Sequence, residues 1–568
     1  MLNSRPLPVP VREDAVRWST FHHTRTVVVA ARTLVSTIRV LECLPQLLRN
    51  DSRIAVVFAY DPTSAFSDGV LDLLHDTGCR VVPWEQLDSL APDLLISASE
   101  NIDVPKGDYP VLYLPHGVGF QKFVPDSRSS RTRLSGAVQD ELLDAQRAWL
   151  AISHPSQRDQ LHASNPQAAE RTVLVGDPCF DELRAGLGRA SWFRQAMGVG
   201  DGQHLVVVSS TWGPTSLLGR RPDLLARLLA ELPYDQYRVA AILHPNVWSS
   251  HGTWHIRMLL DAALEAGLML IPPVHAWRSV LVAASVLVGD HGSVTLYGAA
   301  LGKPVLLGAF GTDAVPGTAI AALGRQAPKL REGSGLHRDV EEVLATHVPQ
   351  KYAGLADRAF AEPGNALAKL RTVIYRLMEL PEPTAAPVRL PAPPAPEPPS
   401  AHVTSFMVTT RIDRHADRPT VSLRRYPACV SEAMDETADS FSHLCCAQDE
   451  RDTRLTESAS VLVHHSPAPT ADAAERWIGE TLSSFPGSLL AATAVRAGGC
   501  LVGVRDGRVV EATATDPDAD TGLLAAVVYT CLRAQFPVDG TLVRLKTSPA
   551  RQTDVTLRQR PSYEEEPT

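Results

Sequence analysis

The chain lacks the features that would announce a chemistry outright. No Gly-x-x-x-x-Gly-Lys-Ser/Thr phosphate loop is present, and there is no CxxC pair among its eight cysteines. There is no basic excess either: the formal charge is −9, which excludes a general nucleic-acid binder, because neutralising phosphates needs a basic surface. The cysteines (Cys43, Cys79, Cys179, Cys429, Cys445, Cys446, Cys500 and Cys531) are scattered. They read as reduced thiols of a cytoplasmic protein rather than a disulfide framework. Their one local cluster, Cys445 and Cys446 with His443, has no further ligands at zinc spacing, so neither a metal nor a cofactor is expected. No apolar run approaches the roughly 20 residues of a transmembrane helix. The most apolar stretch, 26–48, carries Arg32, Arg39 and Glu42 and reads as a buried strand followed by an amphipathic helix. The polar, Pro-rich opening, 1–14, is unlike a signal peptide.

What is there is a repeated α/β pattern. With 568 residues, 44% hydrophobic and 21% charged, several domains are required. Apolar, β-branched runs at 26–31, 54–60, 79–84, 93–99, 110–117, 148–154 and 172–178 alternate with helical spacing. The pattern restarts at 204–211, 237–245, 268–273, 285–290 and 304–310 and ends in a helix near 366–380. Continuous apolar strands alternating with helices predict parallel sheets covered on both faces. The expectation is therefore two doubly wound, Rossmann-like domains, 26–185 and 186–380, facing a cleft, after a polar segment, 1–25. A Pro-rich stretch, 381–401, predicts a semi-rigid spacer. Beyond it, 402–557 predicts an α+β accessory domain with an Asp-Gly hairpin turn and no catalytic constellation. Its protein partner is unspecified, and 558–568 is expected to be a disordered tail.

Ligands of such sheets bind beyond the carboxyl ends of the strands, where polar residues and glycines cluster here. His116, with Gly117 and Gly119, follows the run 110–115 and is the candidate general base, since an imidazole titrates near neutrality. A capped or hydrogen-bonded turn histidine is the alternative. Lys122, Arg128, Arg131 and Arg133, opposed only by Asp126, form a basic loop that is either solvated or contacts an anion. In the second half Ser209, Ser210, Thr211 and Gly213 lead from a strand toward a helix, as phosphate cradles do. His244 ends another strand. Asp290, His291, Gly292 and Ser293 end a third, where a helix N-terminus would direct free N–H groups at an anion.

These segments, over 110–310, resemble in order those of the CDP-glycerol glycerophosphotransferases, which polymerise or prime teichoic-acid-type chains and share the glycosyltransferase-B fold. PHGVGFQKF resembles their Trp-His-Gly-Thr segment at His116 and Gly117. VGDPCFDEL resembles a hinge segment at Gly176, Pro178 and Asp181, and SSTWGP resembles a Pro-Thr-Trp-Arg turn at Thr211 and Trp212. LHP and GDHGSVTLYGAALGKP match at His244, Pro245, Asp290, Ser293, Lys303 and Pro304. The resemblance implies a nucleotide-diphosphate donor as substrate, with His116 acting on an acceptor hydroxyl. Ser210, Thr211, His244, Asp290, Gly292, Ser293 and Tyr297 would lie on the donor side, with Gly117, Gly119 and Lys122 in support. It also implies a polymer- or lipid-linked acceptor, hence a cytoplasmic protein able to attach to a membrane surface. The chain departs from the family at Cys179 and Gly213, which replace arginines, at Gly292, which replaces a serine, and at Tyr297, which replaces an acid suited to a ribose. The last segment also resembles the Gly-rich turn of UDP-sugar 2-epimerases and related glycosyltransferases. A degenerate nucleotide-binding module working through protein association is a further alternative.

Overall fold

The computed structural model describes residues 20–125, 132–274, 276–333, 335–383, 388–396, 402–431, 440–495, 499–516 and 519–561. Residues 25–174 carry a seven-stranded sheet. Its strands are β1 (Arg25–Ala31), β2 (Ile54–Tyr60), β3 (Val81–Pro83), β4 (Leu94–Ser97), β5 (Val111–Tyr113), β8 (Ala148–Ile152) and β9 (Thr172–Leu174), in the order β3-β2-β1-β4-β5-β8-β9. All neighbours run parallel. Two short strands between β5 and β8, β6 (Phe123–Pro125) and β7 (Thr132–Leu134), form a separate antiparallel pair. The apolar runs form strands because helices cover both faces: Val27, Val29 and Ala31 belong to one core, Val28 and Ala30 to the opposite one. Helix α1 (Leu34–Leu47) starts where Thr33 and Ser36 exchange side-chain and backbone hydrogen bonds, satisfying N–H groups that a helix start leaves open.

The chain crosses to the second sheet through helix α2 (Pro178–Gly186), capped by Asp177. Gly176, just before it, has φ +88°, and a Cβ there would lie 3.2 Å from Ala366 Cβ and 3.3 Å from Ala361 O. Only glycine meets both demands comfortably. The second sheet orders β12 (Met269–Ile271), β11 (Tyr237–Leu243), β10 (His204–Ser210), β13 (Val286–Gly289) and β14 (Val305–Leu307), again all parallel. Helix α3 (Pro245–Leu259), kinked at Gly252, follows β11, and α4 (Ser293–Ala300) follows β13. The fold is thus two doubly wound Rossmann-like units, the glycosyltransferase-B arrangement. The final helix, α5 (Ala366–Leu377), was expected to close the second unit. It returns instead to the first, where Leu370, Val373 and Ile374 pack beside Val27 and Leu44. Asp181 holds it there by accepting from Gly364 N and Ala366 N at 2.5 and 2.9 Å.

The expected spacer is docked where it is described. Arg371 donates to Pro383 O at 2.8 Å, and the Pro393 ring lies against Gly186, where an added Cβ would come within 2.8 Å of its Cδ. Residues 384–387 and 397–401 lie outside the described residues. The accessory domain is a closed nine-stranded barrel, β15 (Ser405–Asp413), β16 (Thr420–Pro427), β17 (Ser440–Ala447), β18 (Val461–Ala468), β19 (Leu490–Val495), β20 (Cys500–Val504), β21 (Val509–Ala514), β22 (Thr541–Lys546) and β23 (Gln552–Gln559). Helix α6 (Thr521–Arg533) fills its core and is buried from Gly522 to Cys531. The expected Asp-Gly turn joins β20 to β21. Strand β23 extends through Arg558 and Gln559, so the expected tail begins later than 558; 562–568 lie outside the described residues. The barrel meets the second unit through Arg425, whose guanidinium donates to both Asp235 oxygens at 3.0 and 2.6 Å. All eight cysteines are free, and among the described residues no helix is long and apolar enough to cross a membrane.

Candidate active site

The carboxyl ends of both sheets open on one cavity of about 580 Å³, within the usual size of a small-molecule site. His116, three residues past β5, lines it from the first unit; Thr211, His244, Gly292 and Ser293 line it from the second. The units touch around it. Lys122 forms an isolated antiparallel bridge with Ala314, Phe123 N donates to Asp313 O at 2.8 Å, and Val315 N donates to Gln121 O at 2.9 Å. The Lys122 ammonium reaches Thr211 Oγ1 at 3.4 Å. Burial lowers its pKa, partly offset by Asp290 and Asp313.

The two histidines are held in complementary tautomers. His116 Nδ1 lies 2.9 Å from Ala98 O; a carbonyl can only accept, so Nδ1 carries a proton, and in the neutral imidazole the lone pair is on Nε2. His244 Nδ1 accepts from Asn246 N at 3.1 Å, capping α3, so its Nε2 carries the proton. Burial, reinforced by the nearby charges of His116 and Lys122, pushes the His244 pKa down to about 3. One imidazole, His116, is exposed, and the other, His244, is an uncharged donor. Glu100, on the loop after β4, is pulled up by burial, but His116 and Arg133 outweigh this and keep it below its usual value. Arg133 pairs with it at 2.9 Å.

Several expected donor contacts serve the scaffold instead. The fully buried Asp290 carboxylate accepts from Thr211 N, Leu217 N and Gly292 N at 2.8, 2.9 and 2.9 Å. It shapes the loop beneath the cavity, and a carboxylate so placed does not bind phosphate. Ser210 Oγ donates to Thr211 O and accepts from Leu218 N within the same loop. Tyr297, expected on the donor side, is 2% exposed and donates to Asp177 Oδ2 at 2.7 Å. Asp177 also receives Arg39 Nη2 at 3.3 Å, so the phenol is spent in the seam between units. His291 Nδ1 accepts from Gly311 N, and its Nε2–H faces Asp313. Lys303 does not line the cavity and donates to Val282 O and Ala284 O at 2.6 and 3.0 Å, closing the helix Trp277–Ala283.

The other expectations fall at the cavity wall. Helix α4 has no side-chain cap at Gly292, which leaves its first N–H groups without a side-chain acceptor where Gly292, Ser293 and Val294 line the cavity. Ser293 Oγ accepts from Val118 N at 3.2 Å across the seam. A Cβ on Gly117 would lie 2.6 Å from that oxygen, and one on Gly119 would lie 2.8 Å from Pro115 Cβ. Asp126, Arg128 and Arg131 lie outside the described residues. Sequence reasoning missed Glu100, Arg39 and Arg278, all of which line the cavity. Glu100 also follows a strand end and could have been found by that rule. Arg278, which donates to Cys179 Sγ at 3.4 Å and pairs with Glu42 and Glu182, brings a guanidinium beside the cysteine and could not.

No protein-family profile matches the chain, and no curated protein sequence does. Solved structures with similar folds include the wall teichoic acid polymerase TagF, at 14% identity and TM-score 0.42, covering 62% of this chain and 89% of that one. A UDP-GlcNAc 2-epimerase from Neisseria meningitidis bound to UDP-GlcNAc gives 16% and 0.38, covering 62% and 99%. A glycosyltransferase from Rickettsia africae ESF-5 gives 10% and 0.37, covering 62% and 98%.

Proposed function

We propose that the chain is a transferase that moves a glycerophosphate or glycosyl unit from a nucleotide-diphosphate donor to a hydroxyl acceptor, as in cell-wall polymer synthesis. The observation that carries this reading is the pairing of two imidazoles on opposite walls of one cavity, His116 with a free Nε2 lone pair and His244 with an Nε2–H. The donor's diphosphate sits at the N-terminus of α4, near His244, Lys122 and Thr211. The acceptor O–H gives its proton to His116 Nε2 as its oxygen bonds to the transferred phosphorus or anomeric carbon. The bond from that atom to the nucleotide's phosphate oxygen breaks, and the leaving phosphate takes the electron pair. His244, Lys122 and the helix dipole stabilise the charge that develops there. His116 then returns its proton to solvent.

Calorimetry with CDP-, UDP- and GDP-linked donors tests this. At least one should bind, and His116→Ala should bind it as well as the wild type while losing turnover. Unchanged turnover in that variant would remove His116 as the base. The engagement of Tyr297 with Asp177 favours one alternative, a non-catalytic module acting through its barrel, and binding of none of the donors would support that.

A further inference from the structure

The cavity mouth has a character distinct from its floor. Trp212, 38% exposed, lies edge-on to Phe66 of the opposite unit, with ring centroids 5.4 Å apart, and tilted to His244 at 6.4 Å. All three line the cavity with His116. The indole is therefore braced from both units while part of it stays open, so a ligand stacking on it meets a surface already ordered. The charges around it are spent. Among the described residues every arginine lining the cavity is paired: Arg32 with Asp61 at 3.1 Å, Arg39 with Asp177 at 3.3 Å, Arg133 with Glu100, and Arg278 with Glu42 and Glu182. Lys122, the remaining cation of the lining, lies at the proposed diphosphate seat. Among the described residues the lining offers an anionic polymer no unpaired guanidinium, whereas a neutral ring with an apolar C–H face finds an aromatic platform.

We infer that the acceptor is an uncharged carbohydrate, stacked on Trp212 so that one ring hydroxyl meets His116 Nε2. This deepens the transferase reading and rests on it. An array of neutral glycans, anionic glycans and polyol phosphates, probed with the full chain, tests it, followed by calorimetry on the best neutral glycan retained. Trp212→Ala should weaken that glycan about tenfold or more, and Trp212→Phe should restore most of the affinity. Trp254→Ala, on the exposed face of α3, should change nothing. Melting curves separate misfolding of Trp212→Ala from loss of the platform, since Trp212→Phe keeps a ring in place. Retention of polyol phosphates alone, retention of nothing, or equal neutral-glycan affinity in Trp212→Ala would overturn the inference. Donor titrations on the wild type distinguish its failure from that of the parent reading, which falls only if no nucleotide-diphosphate donor binds.

Discussion

His244 performs two tasks with two nitrogens, and substitution can separate them. Nδ1 caps α3 by accepting from Asn246 N, while the Nε2–H is left for a ligand. Asparagine is a good N-cap and should keep the first task while losing the longer reach of the second; alanine loses both. Removing the cap should cost about 1 kcal/mol of stability. Losing a hydrogen bond to a phosphate should cost about 1.5–3 kcal/mol, which is about 10- to 150-fold in Kd. Urea unfolding should therefore place His244→Asn near the wild type and His244→Ala about 1 kcal/mol lower, while calorimetry with the bound donor shows both variants weakened alike. Wild-type affinity in either variant would refute the assignment of Nε2. Equal unfolding of Ala and Asn variants would refute the cap.

Three further outcomes follow from the same geometry. Tyr297→Phe leaves a buried Asp177 oxygen short of one donor, so stability should drop by about 1–3 kcal/mol with donor Kd unchanged; weaker donor binding at normal stability would return Tyr297 to the ligand. Arg425→Ala strands Asp235 beneath the barrel and should cost about 3–5 kcal/mol, read by calorimetric melting; an unchanged melt would mean the barrel does not depend on that pair. Burial holds both His244 and His443 near pKa 3 in the fold, against 6.5 when exposed. The unfolded chain therefore binds more protons between those values, and stability should fall as pH drops from 6.5 toward 3. His443→Leu should flatten that slope, and an unchanged slope would contradict it.

The strands were legible because parallel sheets buried on both faces write themselves as unbroken apolar runs, and the strand-end rule led directly to His116, Thr211, His244 and Gly292. What the sequence concealed lay in contacts between distant segments. Asp290 and Tyr297 stand at the positions expected of ligand contacts, yet one accepts three backbone N–H groups and the other bonds Asp177 from 120 residues away. No local pattern distinguishes a carboxylate that supports a loop from one that meets a ligand. Helix α5 follows the second sheet in sequence, but its apolar face fits the first, and the anchor at Asp181 lies far upstream. The barrel left one readable trace: TGLLAAVVYTCLR is apolar around its whole circumference, as a helix enclosed on every side must be. Closure of nine strands around it depends on pairings such as β16 with β22 that no short window contains.

A structure of the full chain with a bound nucleoside diphosphate bears most directly on the account. The phosphates should lie against the N-terminus of α4, within hydrogen-bond distance of His244 Nε2 and Lys122 Nζ, with His116 Nε2 facing them across open space. Phosphates seated anywhere else, or a complex in which His116 has turned from the cavity, would contradict it.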